Sequence, residues 1–504
     1  MRKTKYPKVN TLEFSISDFS EGIDAVTDEN VTDFDKAVSS YNFEYKNGAL
    51  TEGIGFENLT TPDNENEGCA ETLASFAMGT AEKNFVKIAH FKEFSETNQE
   101  RQDKIFLLTN ENKLFYTRVI NRVPVFSELP GLTFTTAPTL KTYNDETSDC
   151  ILFFSDADKV QSWDNIGVPK NYTNVPLVHD FCEYKGRIFA IPSGERLKIR
   201  SEETNFLQWS QNATSSSKII TFDSERGYIN KLLSFNGYLF AIRDFGISRI
   251  IWYDADSSFD VKHLLSSGSR IFANTACVCG NSGLVLCKDG IYEFDNVSAK
   301  KLDIKLNRMF QGVSNQNAVA SFINGIYYLA CRLNFGDNKT IGCETNQNYK
   351  NNALISYDTK TNQYSITRGV DISYLCAIQF LSADKLLACF NGSNCDKIGQ
   401  LSSTGLMFGE NETKFWTSPL TDLGYSNKIK YVKEVSVLSL YDIKLKVFSE
   451  CEEREFNIKG GNIISRVPIR IKGKQIGLSI TSTTQKAYVS NLKLLANLID
   501  NEYV

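Results

Sequence analysis

Apolar and polar residues alternate along this chain in short runs of about five to eight residues, and the 3.6-residue period of an amphipathic helix is nearly absent. Typical runs are residues 103–118, 184–191, 235–242 and 323–331. Most consist of an apolar segment, a short turn rich in Asn, Gly, Asp or Lys, and a second apolar segment, which is the sequence signal of a β-hairpin. We therefore predict an all-β protein.

The hairpins recur at a nearly regular spacing. Gly186, Gly237, Gly283 and Gly325 occupy similar positions in or before an x-Gly-apolar sequence, and they are 51, 46 and 42 residues apart. A period of about 40–50 residues with about four short strands per unit is typical of β-propeller blades. One such sheet cannot bury both of its faces, whereas a ring of sheets covers each face with a neighbour. We predict a six- or seven-bladed β-propeller; the alternative is an elongated stack of β-sandwiches.

The charge and the strand pattern divide the chain into three parts. Residues 1–84 form an irregular acidic segment with a hairpin that partly completes the propeller, residues 85–410 form the propeller, and residues 411–504 form a C-terminal β-sandwich of longer alternating strands. The net charge is −8 over residues 1–70 and +5 over residues 413–504. We expect the acidic segment of one subunit to meet the basic sandwich of its neighbour, because complementary charge guides encounter and registry.

The overall composition excludes several classes of protein. The 504 residues carry a net charge of −5 and are 41% hydrophobic, which rules out disorder throughout and argues against a dedicated nucleic-acid-binding protein. No apolar run approaches the roughly 18 residues of a membrane span, and no signal peptide is visible. Twelve scattered cysteines, several of them inside apolar runs, indicate reduced core thiols of a chain made in a reducing cytoplasm.

Candidate catalytic and metal-binding groups are sparse. The three histidines, His90, His179 and His263, lie outside any catalytic or zinc motif, and neither a nucleophile elbow nor a phosphate-binding loop is present. Cys277 and Cys279, with Cys287 and His263, offer a zinc alternative, but their position in an alternating strand favours a core face. We predict no catalytic residues, no metal and no cofactor.

Two further groups of residues leave alternatives open. Acidic pairs that follow apolar strands offer calcium oxygens, but they lack the glycine and the bidentate glutamate of a calcium loop, so turn formation is favoured. The pairs are Asp156 with Asp158 and Asp254 with Asp256. The tryptophans offer a sugar site, but packing anchors are the favoured interpretation. They are Trp163, Trp209, Trp252 and Trp416.

Three segments together resemble virion propeller proteins of tailed phages. The opening, residues 22–56, matches at Gly22, Asn42, Gly48, Leu50, Gly53, Gly55 and Phe56, and departs at Glu21 and Glu52. Residues 184–210 match at Gly186, Arg187, Phe189, Ser201 and Trp209. Residues 229–250, which include Gly237, are similar to the next blade of those proteins, and the region after residues 416–424 is similar to their C-terminal part.

The resemblance implies a structural virion protein of the neck or tail channel, active in head completion, packaged-DNA retention or the tail hub. It implies a homo-oligomeric ring stacked on portal-adaptor and tail components, assembled in the bacterial cytoplasm, with double-stranded DNA passing through the lumen. It supplies no catalytic residues, so we expect no enzymatic activity. The alternatives are a propeller that binds or cleaves host-surface glycans and a host scaffold propeller.

Overall fold

The computed structural model describes residues 10–27, 32–59, 84–95, 100–120, 123–144, 149–165, 167–202, 206, 209–214, 217–253, 258–336, 349–380 and 383–499. Within them the chain is almost entirely β, with one 3-10 helix at Gly392–Asn394, so the prediction of an all-β protein is confirmed. In this described part, none of the helices is long and apolar enough to cross a membrane. Cys69, Cys343, Asp254 and Asp256 lie outside the described residues.

The N-terminal segment contains five short strands that join sheets formed much later in the chain. They are β1 (Asn10–Ile16), β2 (Ser39–Tyr41), β3 (Phe43–Lys46), β4 (Ala49–Glu52) and β5 (Gly55–Asn58).

Six consecutive four-stranded antiparallel sheets follow, each of them a simple meander in which sequential strands pair. Sheet I contains β6 (Phe85–Ser95), β7 (Glu100–Thr109), β8 (Leu114–Ile120) and β9 (Val123–Glu128), and sheet II contains β10 (Thr139–Asn144), β11 (Asp149–Phe154), β12 (Gln161–Trp163) and β13 (Lys170–Asn171). Sheet III contains β14 (Val178–Tyr184), β15 (Arg187–Pro192), β16 (Lys198–Glu202) and β17 (Lys218–Thr221), and sheet IV contains β18 (Ile229–Phe235), β19 (Tyr238–Arg243), β20 (Gly246–Tyr253) and β21 (Ser258–Ser266). Sheet V contains β22 (Ile271–Cys279), β23 (Ser282–Cys287), β24 (Gly290–Phe294) and β25 (Ala299–Lys301), and sheet VI contains β26 (Val319–Ile323), β27 (Ile326–Cys331), β28 (Ala353–Asp358) and β29 (Tyr364–Arg368).

Sheet VII combines a strand of the N-terminal segment with strands that follow sheet VI in the chain. Its first three strands are β30 (Ile372–Phe380), β31 (Ala383–Phe390) and β32 (Ile398–Ser402), and its fourth is the N-terminal β5, which pairs antiparallel with β32. Two short strands extend it, β33 (Leu406–Met407) and β34 (Glu410–Asn411).

Each sheet shares a buried core with the next, because the second strand of a sheet is apolar on both faces. In β11, Ile151 and Phe153 pack with sheet I, whereas Leu152 and Phe154 pack with sheet III. Successive side chains of a strand point to opposite faces, so a strand covered on both sides reads as a continuous apolar run. Sheet VII packs in the same way against sheet I, where Leu387 shares a cluster with residues of β6 and β7.

The C-terminal strands form two larger sheets, and the N-terminal strands complete both. The strands are β35 (Lys414–Thr417), β36 (Ile429–Ser439), β37 (Ile443–Ser449), β38 (Glu453–Ile458), β39 (Ser465–Gly473), β40 (Ile476–Ser482) and β41 (Tyr488–Ile499). One sheet has the order β3-β4-β41-β36-β39, with β1 also on β41, and the other has the order β2-β35-β40-β37-β38. Their inner faces share one hydrophobic core, to which Phe19 and Trp416 contribute.

The structure changes two details of the sequence interpretation. Four of the five strands found before residue 84 belong to the C-terminal sheets, so this unit is not built from residues 411–504 alone. Gly283 lies inside β23 and not in a turn; the turn that precedes it contains Gly280. A Cβ on Gly283 would lie 2.2 Å from the Phe294 ring, so packing and not turn geometry requires glycine there.

Gly55→Ala tests the pairing of β5. A Cβ at position 55 would lie 2.0 Å from the carbonyl oxygen of Leu406, which is backbone and cannot rotate away. We expect the free energy of unfolding in guanidinium to fall by about 3 kcal/mol, as in other overpacked sites. Gly194→Ala is the control, since no atom lies within 4 Å of its Cβ position. Equal unfolding midpoints for the two variants would contradict the position of β5.

Candidate functional site

Asn42 lies where the N-terminal segment, sheet VI and the C-terminal unit meet. Its backbone N–H donates to Ile366 O (2.8 Å), its side-chain nitrogen donates to Thr413 O (2.9 Å), and its side-chain oxygen accepts from the N–H of Arg368 (2.8 Å). The residue is 4% exposed and has φ 62°, a left-handed conformation that Asn tolerates better than most residues. One buried side chain thus links three distant segments.

The two glycines after Asn42 let the chain pass close to other backbone. Gly53 donates its N–H to the carbonyl oxygen of Asn42 (3.1 Å), and a Cβ on Gly53 would lie 2.6 Å from that same oxygen. Gly55 is equally crowded by Leu406. Residues 42–55 therefore form a junction, which we call the N-terminal junction, in which no larger residue fits at either glycine.

Gly22 lies in a turn before this junction, and Gly48 lies in a turn within it. Both have φ 74°, and Gly48 forms the β3–β4 turn together with Asn47 (φ 51°), the pair of positive φ angles that a two-residue hairpin prefers. Phe19 donates its N–H to Gly48 O (3.1 Å), and Gly22 O accepts from the N–H of Ala37 (2.9 Å). The segment is therefore folded back on itself before it reaches β5.

Asp24 anchors the same segment to the connection that follows sheet V. Its buried carboxylate accepts from the N–H of Val26 (3.2 Å) and from the N–H and hydroxyl of Thr27 (3.0 and 2.9 Å), and it pairs with the Lys305 ammonium (3.1 Å). Burial raises the pKa of Asp24, but these hydrogen bonds outweigh it and lower the pKa to about 2. The carboxylate is therefore ionised in the folded protein at neutral pH.

The remaining motif residues lie in sheets III and IV. Gly186 and Gly237 each follow a residue with positive φ in the first turn of its sheet, and the Tyr184 hydroxyl links the two turns by donating to Gly237 O (3.0 Å). Arg187 donates to the Ser201 hydroxyl (3.2 Å).

Two motif residues, Arg187 and Trp209, take part in stacking between a guanidinium group and a tryptophan ring. The Arg187 guanidinium lies over the Trp252 ring at 5.3 Å, and Trp209 is buried beneath Arg200 at 5.4 Å. The motif residues thus fall into two groups, one in the N-terminal segment and one in sheets III and IV and their connections, and the structure does not bring them together in one pocket.

His179 has the most elaborate polar environment of the three histidines. Its Nδ1 lies 2.8 Å from the Asp156 carboxylate, and its Nε2 lies 3.1 Å from a guanidinium nitrogen of Arg196, which also donates to the side chain of Asn230. Because arginine only donates, Nε2 accepts and Nδ1 carries the proton. Partial burial raises the pKa of Asp156, but the nearby Ser193 hydroxyl and the hydrogen bond with His179 outweigh it and lower the pKa. Both ring nitrogens of His179 therefore have hydrogen-bond partners within the chain.

The other two histidines lie apart from this cluster. His263 on β21 is 2.9 Å from the Ser248 hydroxyl, and burial followed by the nearby Arg226 lowers the pKa of His263. His90 is a partly buried residue of β6 in sheet I. The histidines therefore belong to three different sheets and do not converge.

The cysteines of the zinc alternative lie on opposite faces of sheet V. Cys279 is part of the core between sheets V and VI, whereas Cys287 is part of the core between sheets IV and V. Burial raises the pKa of each of these two thiols above the usual value of a cysteine. Among the described residues no group of three or more His, Cys, Asp or Glu side chains is placed to hold a metal ion.

The acidic pair and the tryptophans take structural positions. Asp158 accepts from the N–H groups of Thr135 (2.9 Å) and Thr136 (3.2 Å) and from the Ser155 hydroxyl (2.8 Å), which is the chemistry of a turn. All four tryptophans are at most 5% exposed, so they cannot line an open sugar site; they are Trp163, Trp209, Trp252 and Trp416.

The sequence analysis missed a series of lysines on the first strands of sheets I, II and IV. Lys87 donates to Pro138 O (2.7 Å), Lys141 pairs with Asp180, and Lys231 donates to Ala276 O (2.8 Å). Each lysine therefore reaches from its own sheet to the next. Burial lowers the pKa of Lys87 to about 8 and also lowers that of Lys231. The sequence signal that could have revealed them is a lysine at the third position of the first strand in each of these three sheets.

The acidic N-terminal segment contacts the C-terminal strands of its own chain. β1 pairs with β41 along its whole length, Glu13 pairs with Lys493 (2.8 Å), and the Glu52 carboxylate accepts from the N–H of Ala487 (3.2 Å). The expected contact of this segment with the basic sandwich of a neighbouring subunit stays a prediction.

The chain matches no profile of a known protein family and none of the curated proteins. It is similar to the crystal structure of the extracellular domain of a hybrid two-component system from B. thetaiotaomicron, with 11% identity and a TM-score of 0.43, over 89% of this chain and 64% of that one. It is also similar to an extracellular domain described as part of a one-component system from the same organism, with 11% identity and a TM-score of 0.43, over 88% and 62%. The chain thus spans less than two thirds of the length of these domains.

Asn42→Gly tests the N-terminal junction. Glycine adopts φ 62° without strain, so the substitution removes the side-chain hydrogen bonds to Thr413 and Arg368 and little else. We expect the free energy of unfolding to fall by about 2–4 kcal/mol, because two buried backbone groups lose their partners. Asn236→Gly is the matched control, with φ 51° and an exposed side chain. A loss no larger than that of the control would contradict the role of Asn42.

Asp24→Asn tests the anchor through its pH dependence. A carboxylate whose pKa is lower in the folded than in the unfolded chain stabilises the fold above pH 4, and this contribution is lost as the pH falls towards 2. We expect the variant to be about 2 kcal/mol less stable at pH 7, and the gap to narrow below pH 4. Urea denaturation over this range measures it. The exposed Asp33→Asn serves as control, and a gap that is independent of pH would refute the assignment.

Proposed function

We propose that this chain is a non-enzymatic structural protein of a tailed-phage virion, folded as a seven-bladed β-propeller that is joined to a β-sandwich. Sheets I–VI are consecutive four-stranded meanders, and sheet VII has the same size when β5 is counted as its fourth strand. Shared hydrophobic cores between neighbouring sheets, including sheets VII and I, support a closed ring of seven blades. In this fold β5 closes the ring, because it places a strand of the N-terminal segment in the same blade as β32.

The observation that carries the proposal is the position of the motif residues shared with virion propellers. Asn42, Gly53 and Gly55 are the residues that the N-terminal junction requires, for hydrogen bonding and for close backbone approach respectively. The resemblance in this region therefore follows residues with a specific structural role and not a general preference for turns. This supports a shared construction in which the N-terminal segment connects a propeller to a sandwich.

A place in the neck or tail channel fits a rigid unit of this kind. We propose assembly into a homo-oligomeric ring on portal-adaptor or tail components, in head completion, DNA retention or the tail hub, with double-stranded DNA passing through the lumen. Exposed apolar side chains available for this purpose include Ile463 (81% exposed) and Val168 (74% exposed).

The features that a glycan-cleaving propeller would need are used structurally here. His179 is held between Asp156 and Arg196, and the tryptophans are buried. These observations favour the architectural role over hydrolysis within the propeller.

Two measurements test this proposal. Native mass spectrometry of the purified chain over increasing concentration should show a closed oligomer of defined size. Proteomics and gold labelling of a C-terminal tag on purified phage particles should place the protein at the neck or tail. A chain that stays monomeric and is absent from particles would refute the virion role, whereas presence in the particle without ring formation would refute only the self-assembly.

A further inference from the structure

The outward face of the second C-terminal sheet contains an open trough. Its volume is about 310 Å³, at the lower end of the range for small-molecule sites. At Phe415 the trough comes close to Tyr41, the residue that precedes Asn42 of the N-terminal junction. Its lining residues are Phe415, Thr417, Lys444, Lys446, Phe448, Glu453, Glu455, Ser479 and Thr481.

The floor of the trough is formed by the small outward-facing residues of β40. Thr481 lies between Phe415 and Lys444, and Ser479 lies one pleat further along, between Thr417 and Lys446. Strand spacings of about 4.8 Å make the trough about 10 Å wide between β35 and β37, and the rise along β40 from Gly477 to Thr481 makes it about 13 Å long. Small residues on the central strand with larger ones on both sides create the depression.

Aromatic rings bound the trough at opposite corners. Phe448 lies against Gly477, where a Cβ would be 2.4 Å from the ring, so the glycine lets the ring lie close to the sheet. At the other corner Phe415 stacks on Tyr41 with centroids 5.3 Å apart and an interplanar angle of 26°. Both rings are partly exposed, so each offers apolar surface to a ligand in the trough.

The positive and negative charges of the residues that line the trough are equal in number. Lys444 pairs with Glu455 (2.9 Å) and Lys446 pairs with Glu453, and the side chains of these residues are between 34% and 65% exposed. Two ammonium and two carboxylate groups give a net charge of zero while offering both donors and acceptors. This balance disfavours a polyanion such as DNA, since Glu453 and Glu455 would repel its phosphates.

Ser479 and Thr481 add hydroxyl groups to the floor of the trough. Ser479 is only 6% exposed and lines the trough. A hydroxyl both donates and accepts hydrogen bonds, so a hydroxyl group of a ligand can pair with it in either direction.

We propose that this trough binds a short stretch of a neutral oligosaccharide. Sugar rings present apolar C–H faces to aromatic side chains and hydroxyl groups that both donate and accept, which is the combination that the trough offers. A peptide strand would instead require an open sheet edge, whereas this site is the face of four paired strands. The inference is independent of the proposed virion role.

The test uses the full-length chain and soluble tetrasaccharides of glucose, N-acetylglucosamine, mannose and galactose, measured by calorimetry and by saturation-transfer NMR. We expect at least one of them to bind, with an affinity that does not change between 50 and 500 mM NaCl because the ligand is uncharged. Thr481→Trp, which fills the trough, and Ser479→Ala, which removes a hydroxyl from its floor, should each weaken binding at least tenfold. Ser436→Trp, on the outward face of β36 in the other sheet, is the matched control and should leave binding unchanged.

Several results would overturn the inference. They are no binding of any neutral tetrasaccharide, equal binding by wild type and Thr481→Trp, and stronger binding of a sulfated oligosaccharide that is lost at high salt. Thermal unfolding of each variant separates loss of binding from loss of fold. If Thr481→Trp fails to fold, the smaller Ser479→Ala substitution decides.

Discussion

The pairing of β5 with β32 is the constraint on which the rest of the structure depends. Every sheet in the series buries both faces against neighbours, so the first and the last sheet must cover each other or leave apolar surface in water. A strand of four residues fixes that contact by bringing the N-terminal segment into sheet VII. Gly53 and Gly55 permit it, because backbone from two other segments occupies the space where their side chains would be.

Partly buried lysines serve the same connections between sheets. Lys87, Lys141 and Lys231 each cross from one sheet to the next and donate to a carbonyl oxygen or a carboxylate there. An ammonium that loses contact with water is stable only where an acceptor lies within reach. These hydrogen bonds therefore favour one relative position of neighbouring sheets, in addition to the close packing of their apolar side chains.

The sequence predicted local structure well and long-range pairing poorly. Asn236 with Gly237 predicts a tight turn because both need a positive φ, and the structure has that turn. Nothing in residues 10–52 shows that their strands pair with residues 414–498, since the partners of a strand leave no local pattern. The opposite charges of the chain ends are consistent with the contacts that the two ends make within the chain, whereas the predicted contact between subunits stays a prediction. The trough on the second C-terminal sheet was not predictable, because it depends on the lateral register of four strands and on Gly477 beneath Phe448.

The order of assembly follows from the same connections. The hydrogen bond between Asn42 and Arg368 joins residues 326 positions apart, whereas each meander forms from strands adjacent in sequence. Closing a loop of this length has a large entropic cost, although the cost grows only slowly with further length, and the contact becomes favourable once both partners are already structured. We therefore expect the sheets to form before the N-terminal junction, which then connects them to the C-terminal unit. The same segment brings β1–β4 onto the C-terminal sheets and β5 into sheet VII, so that it completes three sheets.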